Sequence, residues 1–320
     1  MIRRLAAMLL GTLLLSLAMA APARAAEKLT VLLDWFVNPD HAPLFVADYI
    51  GAYKAEGLEV DLIPPANPDL PPRLLAAKQA DLAISYQPQL YLLADQGLPL
   101  VRVGTLIDTP LNTVMALDGT GIAKLSDFKG KKIGYSISGV EEATIASMLA
   151  SAGLSLSDVT LVNVNFQLVS ALLSKQVDGV VGAYRTFEAN ELKEHGHKAV
   201  MFFPEEHGIP DYDELVILAN RDNVHDPRIP RFLVALRKAT TYLINHPEEC
   251  WQMFVKAHPD LDNNVNRISW FETISRFAKN PAYLDGPRYE AYAKFMYDEK
   301  LIKKIPALDS YAIDGSGAVK

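Results

Sequence analysis

The sequence predicts an α/β chain of two similar lobes, and three observations carry that reading. Strand and helix signals alternate through the first half, the same alternation returns later with a shared local motif, and the C-terminal third is helical in pattern. In the first unit LTVLLD (29–34) reads as a strand, APLFVADYIGAYKAEG (42–57) as a helix ending at Gly57, and LEVDLIP (58–64) as a strand. LPPRLLAAKQA (70–80) is a helix opened by prolines, and DLAIS (81–85) a third strand. In the second unit the strands are 131–137, 159–165 and 178–184, with helices over 141–153 and 169–177 between them. The third strands are entered alike: Lys78, Gln79 and Asp81 match Lys175, Gln176 and Asp178.

Two extended apolar segments, 105–121 and 213–223, are able to cross between the units. The division that follows is residues 26–110 with 216–320 as one lobe and 111–215 as the other, the C-terminal helices padding the first. In open α/β sheets ligands bind beyond the carboxyl ends of the strands, here the cleft where the lobes face each other.

Residues 1–25 have Arg3 and Arg4, an apolar run from Leu5 to Ala20 and the small-x-small site Ala23-Arg24-Ala25. That is the pattern of a secretory signal peptide cut after Ala25, which predicts an exported, periplasmic protein. The formal net charge of −7 grows more negative when Arg3, Arg4 and Arg24 leave with the leader, which argues against nucleic acid or an anionic membrane surface as partner. The single cysteine, Cys250, excludes an intrachain disulfide and a cysteine metal site. His195, His197 and His207 with Glu205 and Glu206 match no strong metal signature.

The segments DWFVNPDHAPLFVA, GAYKAEGLEV, the Lys-Gln-x-Asp entry into DLAIS, and LSDFKGKKIGYS resemble the NMT1/THI5-like and SsuA-like substrate-binding family over nearly the whole chain beyond the leader. Within it the likeness is to the periplasmic formylaminopyrimidine-binding proteins, which share the Asp-Trp-x-x-Asn-x-x-His start. The resemblance implies a two-lobe periplasmic-binding-protein fold of type II, each lobe a β-sheet flanked by helices, with two crossovers and a ligand cleft between. It also implies a monomer that delivers a thiamine-precursor pyrimidine to the permease and ATPase subunits of an ABC importer.

Trp35, at the end of the first strand, either stacks on a planar heterocycle or caps the lobe core; the resemblance favours ligand contact. Asn38 and His41 stand where short polar side chains cap a helix or meet a ligand, and the matching region of the family lines the cleft. Tyr86 follows the third strand as an aromatic wall with a hydrogen-bonding tip, or as a cover for the next helix. GYSISGVEEA has the strand-loop-helix form that binds anions through helix amides. Glu141 and Glu142 already complement that helix start, so Ser136, Ser138 and Gly139 read as partners for neutral polar groups. Tyr184, Phe187 and Glu188 follow the third strand of the second unit, with Glu188 the polar anchor for a 4-aminopyrimidine or else a solvated first-turn residue.

The family also includes fungal pyrimidine synthases that use pyridoxal phosphate on a lysine and an active-site histidine. Their positions after the third strand carry Ser85 and Gln89 in this chain, and their cysteine-rich segment has no counterpart. With no Ser-His-Asp order, GxSxG, Walker A, GxGxxG or HExxH pattern either, the chain reads as a binder without a cofactor rather than an enzyme. Riboflavin-like or purine-like heterocycles, a sulfonate or taurine, and service to a sensor instead of a transporter are the other readings.

Overall fold

The computed structural model describes residues 25–316, so the leader reading over 1–25 lies outside the described residues apart from Ala25. Strands β1 (Glu27–Leu32), β2 (Leu58–Ile63), β3 (Leu82–Ser85), β4 (Leu100–Ile107) and β10 (Leu215–Asn220) form one sheet in the order β2-β1-β3-β10-β4. Strands β5 (Asn112–Leu117), β6 (Lys132–Tyr135), β7 (Thr160–Asn163), β8 (Gly179–Tyr184) and β9 (Ala199–Phe202) form the other in the order β7-β6-β8-β5-β9. The three strands of each repeat pair in parallel, and each sheet then receives one antiparallel strand delivered by a crossover, β5 against β8 and β9, β10 against β3 and β4. The chain passes from the first sheet to the second between Ile107 and Asn112, and returns between Phe202 and Leu215.

The Lys-Gln-x-Asp repeat has the same physical job twice. Lys78 and Lys175 both adopt left-handed backbone, φ 60° and 59°, just past the helices Pro71–Ala76 and Leu168–Leu173. Gln79 N then bonds Leu74 O and Gln176 N bonds Ala171 O, closing both helix ends. Asp81 Oδ2 next accepts the Thr30 amide of β1 at 2.8 Å, and Asp178 Oδ2 accepts the Lys132 amide of β6 at 2.8 Å. Each aspartate thus ties the third strand of its lobe to the first. Asp178→Ala is expected to cost about 1 kcal/mol by loss of one partly exposed charge-assisted bond; a urea midpoint equal to that of the unmodified chain would show that the repeat is not structural.

The helix expected over 42–57 is broken into Ala42–Tyr49 and Ala52–Ala55, because Gly51 takes φ 70° and turns the chain between them. The C-terminal helices mostly cover the first lobe as expected: Tyr53 stacks on Phe232 of the helix Arg228–Asn245 at 5.5 Å, and Trp251, Phe254 and Trp270 form a buried aromatic group. The helix Asn264–Thr273 departs from that expectation by reaching the second lobe. Asn190 donates to Glu272 at 2.8 Å, and Asn264 donates to Glu194 at 2.6 Å. No helix among the described residues is long and apolar enough to cross a membrane.

Candidate functional site

At the carboxyl end of β1 the chain buries a carboxylate and surrounds it with donors. Asp34 accepts from His41 Nε2 at 2.9 Å through Oδ1 and from Tyr86 Oη at 2.8 Å through Oδ2. The sequence Asn-Pro-Asp-His makes this possible, because Pro39–His41 forms a short 3-10 turn capped by Asn38, whose Oδ1 accepts the Asp40 amide at 2.8 Å. His41 Nδ1 in turn accepts the Asn38 amide at 3.4 Å, so Nε2 carries the proton that Asp34 receives. Asp40 is held by Thr273 Oγ1 at 3.0 Å, and burial lifts its carboxyl to about 6 against the pull of His41.

The second lobe and the crossovers repeat the theme of buried carboxyls bound to backbone amides. Glu141 Oε2 accepts from Ser136 N at 2.6 Å and Ile137 N at 3.2 Å, Glu188 Oε2 accepts from Tyr184 N at 2.7 Å, and Glu214 Oε2 accepts from Leu111 N at 2.5 Å and Asn112 N at 2.8 Å. Glu214 belongs to the return crossover and Leu111 and Asn112 to the outgoing one, so a single carboxyl joins the two crossing segments. Burial pushes Glu141 and Glu188 up to about 8 and Glu214 up to about 7, outweighing the backbone donors that favour the charged form.

These groups line one cavity between the lobes. Five carboxyl groups reach it, from Asp34, Asp40, Glu141, Glu188 and Glu214, and among the described residues no lysine, arginine or histidine does. Five aromatic side chains, Trp35, Tyr86, Tyr184, Phe187 and Tyr212, also line it. The Tyr184 hydroxyl is buried and finds no hydrogen-bond partner among the described residues, a cost of about 1–3 kcal/mol that a bound polar group would remove. Such a cavity suits a flat solute rich in hydrogen-bonding groups and offers an anion no positively charged partner.

Six of the ten residues singled out in the sequence line this cavity: Trp35, Asn38, Tyr86, Tyr184, Phe187 and Glu188. Trp35 also serves packing, meeting Phe166 of the second lobe edge-on at 4.6 Å. The other four do not line the cavity. His41 is fully buried behind Asp34 and acts on the cavity only through it. Ser136 is buried too, its Oγ bonded to Asn165 O and its amide to Glu141. Gly139 donates its amide to Glu142 and caps the helix Val140–Ser151. Ser138 turns outward, where its amide and Oγ both meet the Asp69 carboxylate of the first lobe at 2.9 Å.

That contact bridges the lobes across solvent, and Asp69→Ala is expected to weaken solute binding by only about two- to fivefold, the worth of an exposed pair. Calorimetry, with small-angle scattering to follow the lobes, checks this; a loss above about fiftyfold would make the contact a principal clamp. Sequence reasoning put Asp34 at the cleft edge with Trp35, but read Asp40 only as a helix-start residue and missed Glu141 and Glu214 as wall groups. Asp34 was legible as a carboxylate at a strand end, whereas Glu214 lies beyond both repeat units and carried no local signal.

Two mixed five-stranded sheets joined by two crossovers, with an aromatic and carboxyl-lined cavity between them, define a two-lobe α/β fold of the periplasmic-binding-protein kind. The chain belongs to the NMT1/THI5-like family, whose profile matches residues 38–250. It is 48% identical over 301 residues, 94% of this chain and 96% of the relative, to a Haemophilus influenzae protein named for thiamine biosynthesis. It is 34% identical over 270 residues, 84% of this chain and 82% of the relative, to the formylaminopyrimidine-binding protein of Halalkalibacterium halodurans. In fold it is similar to the alkanesulfonate-binding protein SsuA from Xanthomonas axonopodis pv. citri bound to MOPS, with TM-score 0.71 at 17% identity over 90% of this chain and 99% of that one.

Proposed function

We propose that this chain is the exported solute-binding component of an ABC importer that captures a thiamine-precursor pyrimidine of the formylaminopyrimidine or hydroxymethylpyrimidine type. The observation that carries the reading is the cavity wall: aromatic faces for a flat ring, five carboxyl groups for amine and ring-nitrogen donors, and no basic side chain among the described residues. The similarity to a formylaminopyrimidine-binding protein at 34% identity supports the same cargo. The absence of positive charge from the wall counts against a sulfonate or taurine as the cargo, whose charge would face carboxyl groups alone.

Binding closes the lobes about the two crossovers, since ring contacts from Trp35 and Tyr86 on one side and Tyr184, Phe187 and Glu188 on the other are made together only when the cleft is shut. The closed form is the one that docks on the membrane partners. A synthase would need an amine to hold pyridoxal phosphate. Ser85 instead donates to Gln89 at 2.8 Å in a buried pair, and no lysine among the described residues reaches the cavity.

The test is calorimetry on the purified chain from residue 26 onward with formylaminopyrimidine, hydroxymethylpyrimidine, thiamine, taurine, an alkanesulfonate and pyridoxal phosphate. A pyrimidine is expected to bind and the sulfonates are not. Binding of a sulfonate alone overturns the reading, and an aldimine absorbance with pyridoxal phosphate restores the enzyme. N-terminal sequencing of the protein recovered from the periplasm, expected to begin at Ala26, tests export.

A further inference from the structure

The turn between β6 and the helix Val140–Ser151 has the makings of an anion site, with backbone amides at Ser136 and Ile137 just before a helix N-terminus. In this chain neither amide is left for a ligand. The Glu141 side chain folds back, and a single oxygen, Oε2, takes both amides at 2.6 and 3.2 Å. A second, independent feature is shaped around it. Gly182 in β8 has φ 97°, and a Cβ there would lie 2.2 Å from Glu141 Oε1 and 2.5 Å from its carboxyl carbon. Only glycine leaves that notch, and the amide of the same residue is held by Asn112 Oδ1 at 3.0 Å, which keeps the notch in place. Glu142, in the same helical turn, does something different: it accepts from Gly139 N and does not reach the cavity.

We infer that Glu141 is the specificity-determining residue that makes the cavity reject oxyanions: it is a built-in occupant of the turn's two amides, so a sulfonate, sulfate or phosphate group finds those donors taken and meets an acceptor wall. The inference rests on the reading of this cavity as the ligand site and narrows its cargo to solutes without an anionic group, the phosphate ester of a pyrimidine excluded. Occupancy, rather than net charge, is the cause. A glutamine would keep its amide oxygen on the same two donors, whereas alanine would free them.

The experiment uses the exported chain and four variants, Glu141→Ala, Glu141→Gln, Gly182→Ala and Glu142→Ala, with circular dichroism as the check on folding. Inorganic sulfate, inorganic phosphate and ethanesulfonate are titrated into each by calorimetry. Glu141→Ala is expected to bind at least one of the three about tenfold or more tighter than the unmodified chain, with Gly182→Ala shifted the same way because its methyl displaces the carboxyl. Glu141→Gln is expected to reject them as the unmodified chain does, and Glu142→Ala to show no gain.

The inference is overturned if folded Glu141→Ala and Gly182→Ala gain no anion binding, or if Glu142→Ala or Glu141→Gln gains as much as Glu141→Ala. Should Glu141→Ala fail to fold, Gly182→Ala alone decides. Pyrimidine binding by the unmodified chain is measured separately, so failure of the cargo reading leaves this result standing, and the converse holds.

Discussion

Asp34→Ala is expected to lower the unfolding free energy by about 3–5 kcal/mol, because it strands two buried donors at once. Tyr86 Oη and His41 Nε2 point at the two oxygens of Asp34 from separate elements, and Asp34 and His41 are almost wholly shielded from water. Removal of the carboxylate leaves both without a partner. In a chain of this size each kcal/mol corresponds to about 2–4 °C, so the thermal midpoint should fall by roughly 10 °C. Asp34→Asn should cost less, since its amide oxygen still accepts one of the two. Differential scanning calorimetry decides: a loss of less than about 1 kcal/mol for the alanine variant would mean that the triad is not a stabilising unit.

Glu188→Gln is expected to weaken pyrimidine binding at least about tenfold, or roughly 1.4 kcal/mol. The glutamine oxygen can still take the Tyr184 amide now bonded to Glu188 at 2.7 Å, but its amino group then presents donors to a solute that is itself rich in donors. The same substitution has a readout in the ligand-free protein. Burial raises the Glu188 and Glu141 carboxyls from an ordinary 4.5 to about 8. A folded state that holds protons more tightly than the unfolded chain is stabilised fully below about pH 4.5 and loses that contribution as pH rises toward 8. The thermal midpoint should therefore fall, by on the order of 5 °C, between pH 5 and pH 8, and the fall should be shallower in Glu188→Gln. A midpoint flat over that range in the unmodified chain would show that the two carboxyls are ionised and solvated.

The lobe plan was legible because each repeat carries its own local chemistry. Lys78 and Lys175 end helices, Asp81 and Asp178 fasten strands, and these jobs need only neighbours a strand away. The strand-end rule likewise placed Trp35, Tyr86, Tyr184, Phe187 and Glu188 on the cavity. The same rule overreached for Ser136, Ser138 and Gly139. It locates a loop at the cleft but does not say which atoms of the loop are already spoken for, here by Asn165, Asp69 and Glu142. His41 was misplaced for a related reason: its spacing from Asp34 makes them partners, and a histidine bonded on both ring nitrogens has nothing left for a solute.

Local sequence alone was enough to specify two β-α-β-α-β units, their linking segments and a polar cluster at the end of β1, since periodicity and capping act over a few residues. Three things were decided only in the folded chain. Crossover strands β5 and β10 insert antiparallel into the two sheets, Glu214 clasps one crossing segment from the other, and Glu141 turns inward against Gly182 while Glu142 turns outward. Each depends on contacts between segments distant in the chain, where burial and the demand that buried polar groups find partners, rather than local propensity, choose the arrangement.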